Sequence, residues 1–159
     1  MKIRIIAVGK VKEKFMRQGI EEYQKRMNNY LPLEIIECKD EATGENPSEA
    51  ESKQILEREG KRILERIGER DYVITLAIDG KMMDSVKFSE FIFQQAMNGT
   101  SNLVFVIGGS IGLSKQVMER GNTSISFSKM TFPHQLMRMI LMEQIYRACR
   151  IEKGHAYHK

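Results

Sequence analysis

A chain of 159 residues with 42% hydrophobic and 29% charged side chains has ordinary globular composition, and reads as one domain, 1–159, able to bury its own core. No apolar run reaches the roughly 20 residues of a membrane span, MKIRIIAVGK lacks a signal-peptide cleavage site, and two distant cysteines without C-x-x-C or H-E-x-x-H spacing argue for a cytoplasmic, metal-free protein with reduced thiols. The net charge of +4 divides unevenly: residues 1–30 hold eight Lys/Arg against three Asp/Glu, 31–112 nine against fifteen, and 113–159 eight against three, so the basic ends suit a polyanion if the fold joins them and are otherwise a solvated surface.

KIRIIAVG, residues 2–9, alternates and then turns wholly apolar, as a strand entering a core does. Phe15, Gly19, Ile20, Tyr23 and Met27 follow helical spacing, and LEIIECK, residues 33–39, is a second strand. Ser48 and Glu51 form a capping box that starts a helix whose buried stripe is Ile55, Leu56, Ile63, Leu64 and Ile67, ending at Gly68. YVITLAI, residues 72–78, is apolar enough for a central parallel strand, with Asp79-Gly80 as a turn. Phe88, Phe91, Ile92 and Ala96 mark a helix stopped by Gly99. NLVFVIG, a short helix near 114–119 and the strand TSISFS, 123–128, follow, and a long helix runs from Pro133 to about Arg150. Strictly alternating strands and helices give an α/β domain with a mainly parallel sheet and helices on both faces. Ligands in such sheets sit beyond the carboxyl ends of the strands, where LAIDGK, GKVKEK, GGSIG and SKMTFPH all fall.

The turn at Gly108, Gly109 and Gly112 is bare enough for a ligand to approach its backbone. It is no P-loop, because G-x-x-x-x-G-K-[ST] is absent. It also departs from the Rossmann fingerprint, being G-G-x-x-G after the fourth strand. Tight strand-to-helix packing is the alternative to a ligand.

FVIGGSIGLS, FSKMTFPHQ and the helix QLMRMILMEQIYRACR together resemble the SPOUT class of S-adenosyl-L-methionine-dependent RNA methyltransferases. The resemblance is closest to the small bacterial family that methylates N3 of a pseudouridine in large-subunit (23S) ribosomal RNA. It runs through MKIRIIAVGK, LAIDGK, the glycine turn, M-T-F-P-H, L-x-E-Q-I-Y-R-A and the closing Tyr-His, which is essentially the whole chain. It implies a C-terminal trefoil knot, against the general rule that chains do not thread their own loops. It also implies a homodimer acting on ribosomal RNA or ribosomes, with S-adenosyl-L-methionine and no metal. The long helix, apolar nearly all round from Leu136 to Tyr146, independently asks for cover on more than one side.

By the same resemblance the cofactor touches Leu76, Gly108 and the loop Phe127, Ser128, Lys129, Met130, Thr131 and Phe132. The tail, residues 151–159, is then functional and brings Tyr157 and His158 to the RNA side of the site. Relatives often have proline before that tyrosine, where this chain has Ala156, which predicts a looser tail. Arg147, four residues after Glu143, is either a helix salt bridge or a guanidinium near the target base. His134, at the start of the long helix, is a capping or packing histidine or the base that takes the acceptor proton, held neutral by the helix dipole. Lys10, Lys12, Lys14, Lys129, Arg147 and Lys153 are candidate phosphate contacts. Two other readings remain: a flavodoxin-like nucleotide- or phosphate-binding module, and a non-catalytic ribosome-binding factor.

Overall fold

The computed structural model describes residues 1–159. Strands and helices alternate: β1 (Lys2–Val8), α1 (Lys14–Met27), β2 (Leu33–Cys38), α2 (Glu49–Leu64), β3 (Tyr72–Met82), α3 (Ser85–Met97), β4 (Asn102–Ile107), α4 (Lys115–Arg120), β5 (Thr123–Ser126) and α5 (His134–Glu152). All five strands are parallel, in the order β2-β1-β4-β3-β5. Mainly parallel was therefore the right class, and the sheet is wholly so.

The two central strands are apolar on both faces because both faces are covered. Ile3, Ile5 and Ala7 of β1 and Leu103, Phe105 and Ile107 of β4 pack with Ile20 of α1, Phe88 and Ile92 of α3 and Leu141 and Ile145 of α5. The alternate residues, Ile6, Val8, Val104 and Val106, pack with Ile63 of α2 and Val117 of α4. Cys38 and Cys149 are free thiols buried in these layers. Burial holds Cys149 up to about 12, so it stays an inert thiol.

Three helices begin on side-chain caps, each worth about 1 kcal/mol. Ser48 accepts from Glu51 N–H at 3.1 Å, as the capping box predicts. Asp84 accepts from Lys87 N–H at 2.8 Å and Ser114 from Val117 N–H at 3.2 Å.

Three local expectations are corrected. Asp79-Gly80 is not a turn: β3 runs on to Met82 through a bulge in which Leu76 and Lys81 both register with Ile125. Gly80 lies so close to β5 that a Cβ there would be 2.5 Å from the Ile125 carbonyl carbon. Helix α2 stops at Leu64, before Gly68, whose N–H donates to Asp71 at 2.8 Å in a turn that Asp71 also ties to Arg4 and Asn102. Phe15, at helical spacing with Ile20 and Met27, does not share their burial and is 64% exposed. The packing of α1 against α5 does join the basic ends: the Arg26 guanidinium lies 5.6 Å from the Tyr146 ring centre and that of Arg150 5.9 Å from it.

Candidate active site

At the carboxyl ends of β3, β4 and β5 lies a cavity of about 870 Å3, within the roughly 300–1,000 Å3 of small-molecule sites. Leu76 and Ile78 from β3, Ile107 from β4 and Ile125 from β5 line it, with Met137 from α5. One wall is the glycine turn. Gly112 N–H donates to Gly109 O at 3.1 Å, closing a small bridge, and Gly112 has φ of +92°, a conformation natural to glycine. At Gly108 the space is already full: a Cβ would lie 2.5 Å from Gly112 O. The facing wall is Phe127, Ser128, Met130, Thr131 and Phe132. Its bend is held by Met130 N–H donating to Ser128 Oγ and Ser126 Oγ donating to Ser128 O, both at 3.0 Å.

Of the residues expected at a cofactor, all but Lys129 line this cavity; Lys129 is exposed beside it in sequence but is not part of its wall. The bare backbone on one side and apolar rings on the other suit a flat heterocycle whose edge carries hydrogen-bonding groups.

His134 lines the cavity too. Its imidazole is held below the ordinary histidine value by burial first and by the Arg138 guanidinium second, with Asp40 opposing. The ring is thus neutral, as expected, with burial and a neighbouring cation acting in the same direction as the helix N-terminus it occupies. Arg138 is 3% exposed and donates to Glu37 Oε2 at 2.7 Å and to Gly9 O at 3.2 Å. These bonds tie the end of β1 to α5. A Cβ on Gly9 would lie 3.6 Å from His134 Nε2 and 3.9 Å from Asp40 Cγ, so the basic loop leaves β1 beside the His134 wall. Lys10 and Lys12 on that loop and Lys14 at the start of α1 are exposed and line no part of the cavity.

The tail forms a second group. Tyr157 O–H donates to Glu143 Oε1 at 2.8 Å, and Arg147 grips the same carboxylate through Nε at 3.2 Å and Nη2 at 2.8 Å. The Arg147 guanidinium stands 4.5 Å from the Tyr157 ring centre, and its Nη1 is 3.3 Å from His158 Nδ1. Burial, then the bond to Glu143, pushes the Tyr157 phenol up to about 12. The rest of the tail also makes contacts: the Ala156 carbonyl accepts from Arg150 Nη2 at 2.9 Å, and Tyr30 O–H and His155 Nδ1 share a 2.9 Å hydrogen bond. Lys153 is exposed at the end of α5. Arg147, Lys153, Tyr157 and His158 all lie outside the cavity wall, so within one chain the expected residues fall into two groups.

Sequence reasoning missed Arg138 and Asp40. Arg138 had a signal, being the single cation in the apolar run LMRMILM. Asp40 had none, since its partners are known only from the fold; Glu143 was paired with Arg147 by its spacing, and the structure adds the Tyr157 hydroxyl to that pair.

A family model described as "Predicted SPOUT methyltransferase" matches residues 1–158. A protein of Enterococcus faecalis called ribosomal RNA large subunit methyltransferase H is 55% identical over 159 residues, spanning 100% of both chains. One of the same name from Lactococcus lactis is 54% identical, also over 100% of both. A solved structure described as a probable methylase family protein from Haemophilus influenzae has a TM-score of 0.55 at 10% identity, covering 99% of this chain and 70% of that one, a likeness of fold alone.

Proposed function

The chain belongs to the SPOUT methyltransferase family, and from that premise we propose that it methylates N3 of a pseudouridine in large-subunit ribosomal RNA, using S-adenosyl-L-methionine. The observation that carries this reading is the cavity, where a glycine turn without room for a Cβ at Gly108 faces the Phe127–Phe132 loop. Full-length relatives named as ribosomal RNA methyltransferases support the substrate class. Action on ribosomal RNA would place the protein in the cytoplasm.

When bound, S-adenosyl-L-methionine supplies an electrophilic methyl group. The chain's part is to hold it: the backbone of Gly108, Gly109 and Gly112 would meet the adenine edge, and Leu76, Phe127, Met130 and Phe132 would wall the ring. Ser128 and Thr131 offer hydroxyls. Methyl transfer is an in-line displacement, so fixing distance and angle supplies much of the acceleration. The acceptor N–H must lose its proton as the methyl arrives. His134, neutral and on the cavity wall, is the candidate base.

Arg147, Tyr157 and His158 belong to the RNA side of the site in this reading. Since they stand off the cavity of their own chain, a second copy would bring its tail group to it. Half-exposed Leu136, Met139 and Ile140 on the first turns of α5 support a homodimer, and light scattering at micromolar concentration should return twice the chain mass of 18.4 kDa. Lys10, Lys12, Lys14, Lys129 and Lys153 are exposed cations available to phosphates. The family's C-terminal trefoil knot belongs to the same proposal.

The test is transfer of labelled methyl from S-adenosyl-L-methionine to ribosomes, large subunits and naked RNA from cells lacking this protein, followed by nucleoside analysis. Label in N3-methylpseudouridine is the expected result. Tight cofactor binding with no transfer to any of the three would overturn the assignment of substrate.

A further inference from the structure

Behind the glycine turn, on the side away from the cavity, lies a carboxyl group that the proposed reaction does not use. Glu59 of α2 is 4% exposed. Its Oε2 accepts Glu41 N–H at 2.9 Å, and its Oε1 has no partner. The group fills the space where a Gly109 side chain would go: a Cβ there would lie 3.1 Å from Oε1, 3.4 Å from Oε2 and 3.2 Å from Val8 Cγ1. Gly60, next in the chain, lets α2 come this near, because a Cβ there would strike Ser114 Oγ. The turn is thus sandwiched between the cavity and an acid.

No cation pairs directly with that acid. Asp40 and Glu41, from the segment after β2, are themselves acidic. Arg62 of α2 is committed to Glu41 Oε1 at 3.2 Å and Lys39 O at 2.9 Å, and Arg58 lies 3.6 Å from Glu41. Val8 of β1 and Gly109 of the turn present only apolar or backbone atoms, and His134 of α5 lies beyond Asp40, across Gly9. Burial, then Asp40 and Glu41, therefore raise the Glu59 carboxyl above its ordinary value, with Glu41 N–H and Arg62 opposing. In its neutral form the group carries an O–H, and a buried donor without an acceptor is costly.

We propose that Glu59 is a positioning residue for the cavity: its carboxyl donates a hydrogen bond to the backbone of the glycine turn when the cavity is filled, and so sets the shape of the wall the ligand meets. The bond is open in this arrangement, where Oε1 is unpartnered. The identity of the ligand rests on the methyltransferase reading; the coupling of Glu59 to the turn does not. Because the donor must keep its proton, ligand affinity falls as pH rises through the Glu59 titration, by as much as about tenfold per pH unit.

Glu59→Gln and Glu59→Leu test this in the full chain, with adenosylhomocysteine as the probe. Calorimetry from about pH 5 to about pH 9 spans the range over which a buried carboxyl titrates. Wild type should weaken with rising pH, and E59Q, which keeps a donor of the same shape, should bind with a flatter profile. E59L should bind about tenfold more weakly at low pH while its circular dichroism stays native. Parallel pH profiles in wild type and E59Q, or wild-type affinity in E59L, would overturn the proposal. Amide resonances of Gly108, Gly109 and Gly112 give a readout on the free protein. A titration in wild type that is missing from E59Q supports the coupling, and identical behaviour refutes it. If no form binds adenosylhomocysteine at any pH, the methyltransferase reading fails, and the amide titration alone decides the role of Glu59.

Discussion

Gly108→Ala asks whether the bare turn is packed against itself as tightly as it looks. The added Cβ would lie 2.5 Å from Gly112 O, 2.7 Å from the Gly112 carbonyl carbon and 3.0 Å from Leu113 Cδ2. The leucine can rotate, but the other two atoms are backbone held by the bridge between Gly109 and Gly112. Relief therefore means opening the turn. Overpacking of this kind costs about 1–3 kcal/mol. At about 2–4 °C per kcal/mol for a chain of this length, the Tm should fall by roughly 2–12 °C. Gly112→Ala is the control: nothing lies within 4 Å of its Cβ, and only φ of +92° resists it. Its cost is backbone strain of about 1–2 kcal/mol, so stability alone separates the two poorly. Affinity separates them better, because displacement at 108 moves the wall of the cavity. Calorimetry against adenosylhomocysteine should show at least a tenfold loss for Gly108→Ala, about 1.4 kcal/mol, and a smaller one for Gly112→Ala. A Gly108→Ala protein with unchanged Tm and unchanged affinity would refute both the packing argument and the role of the turn.

Arg138→Met keeps the apolar stem but strips hydrogen bonds from Glu37 and Gly9 O. Because Glu37 is 40% exposed and can resolvate, the expected loss is about 1.5–3 kcal/mol in urea unfolding, and a loss near zero would mean the guanidinium holds nothing in place. Tyr157→Phe should cost about 1 kcal/mol and speed amide exchange in residues 151–159; unchanged exchange would show that the tail is pinned by other contacts. The same phenol, held up to about 12 against 10.0 ordinarily, keeps its proton in the folded chain after the unfolded chain has lost it, so stability falls between those values and this component disappears in Tyr157→Phe. His134 runs the other way: the unfolded chain takes up a proton near 6.5 before the folded one does, so stability declines as pH falls below that value. A histidine titration by NMR should place the His134 midpoint below 6.5, and a midpoint above it would contradict the burial described.

The strands were legible because their chemistry is local: KIRIIAV and NLVFVI are apolar on both faces, which only a covered parallel sheet demands. The cavity lining was legible through the glycine turn and the S-K-M-T-F-P-H loop, taken with a family resemblance. What stayed hidden depended on distant partners. Asp79-Gly80 has the composition of a turn, and pairing with β5 overrides it. The period of α1 placed Phe15 on a stripe but could not say where its cover ends. Arg138 finds Glu37 and Gly9 at separations of 101 and 129 residues, and periodicity counts such a cation as solvent-facing. Glu59 was concealed for the same reason, in a helix whose other charges mostly do face water. Nor can spacing reveal that the tail packs on α1 and α5, away from the cavity of its own chain.

The pairing of β1 with β4 has a consequence for biosynthesis. Ile3 registers with Leu103 and Ile5 with Phe105, so β1, an interior strand, acquires its second neighbour only after about a hundred further residues have been made. At about 5–20 residues per second this takes roughly 5–20 s. Throughout that interval a segment whose apolar residues are all destined for burial has one open edge and two greasy faces, the combination that invites aggregation. The helix that covers much of one face, α5, emerges later still. Nearly the whole chain must be released before its centre is sheltered, and in the meantime Lys2 and Arg4, charges set into the start of KIRIIAV, are the gatekeepers the nascent protein carries with it.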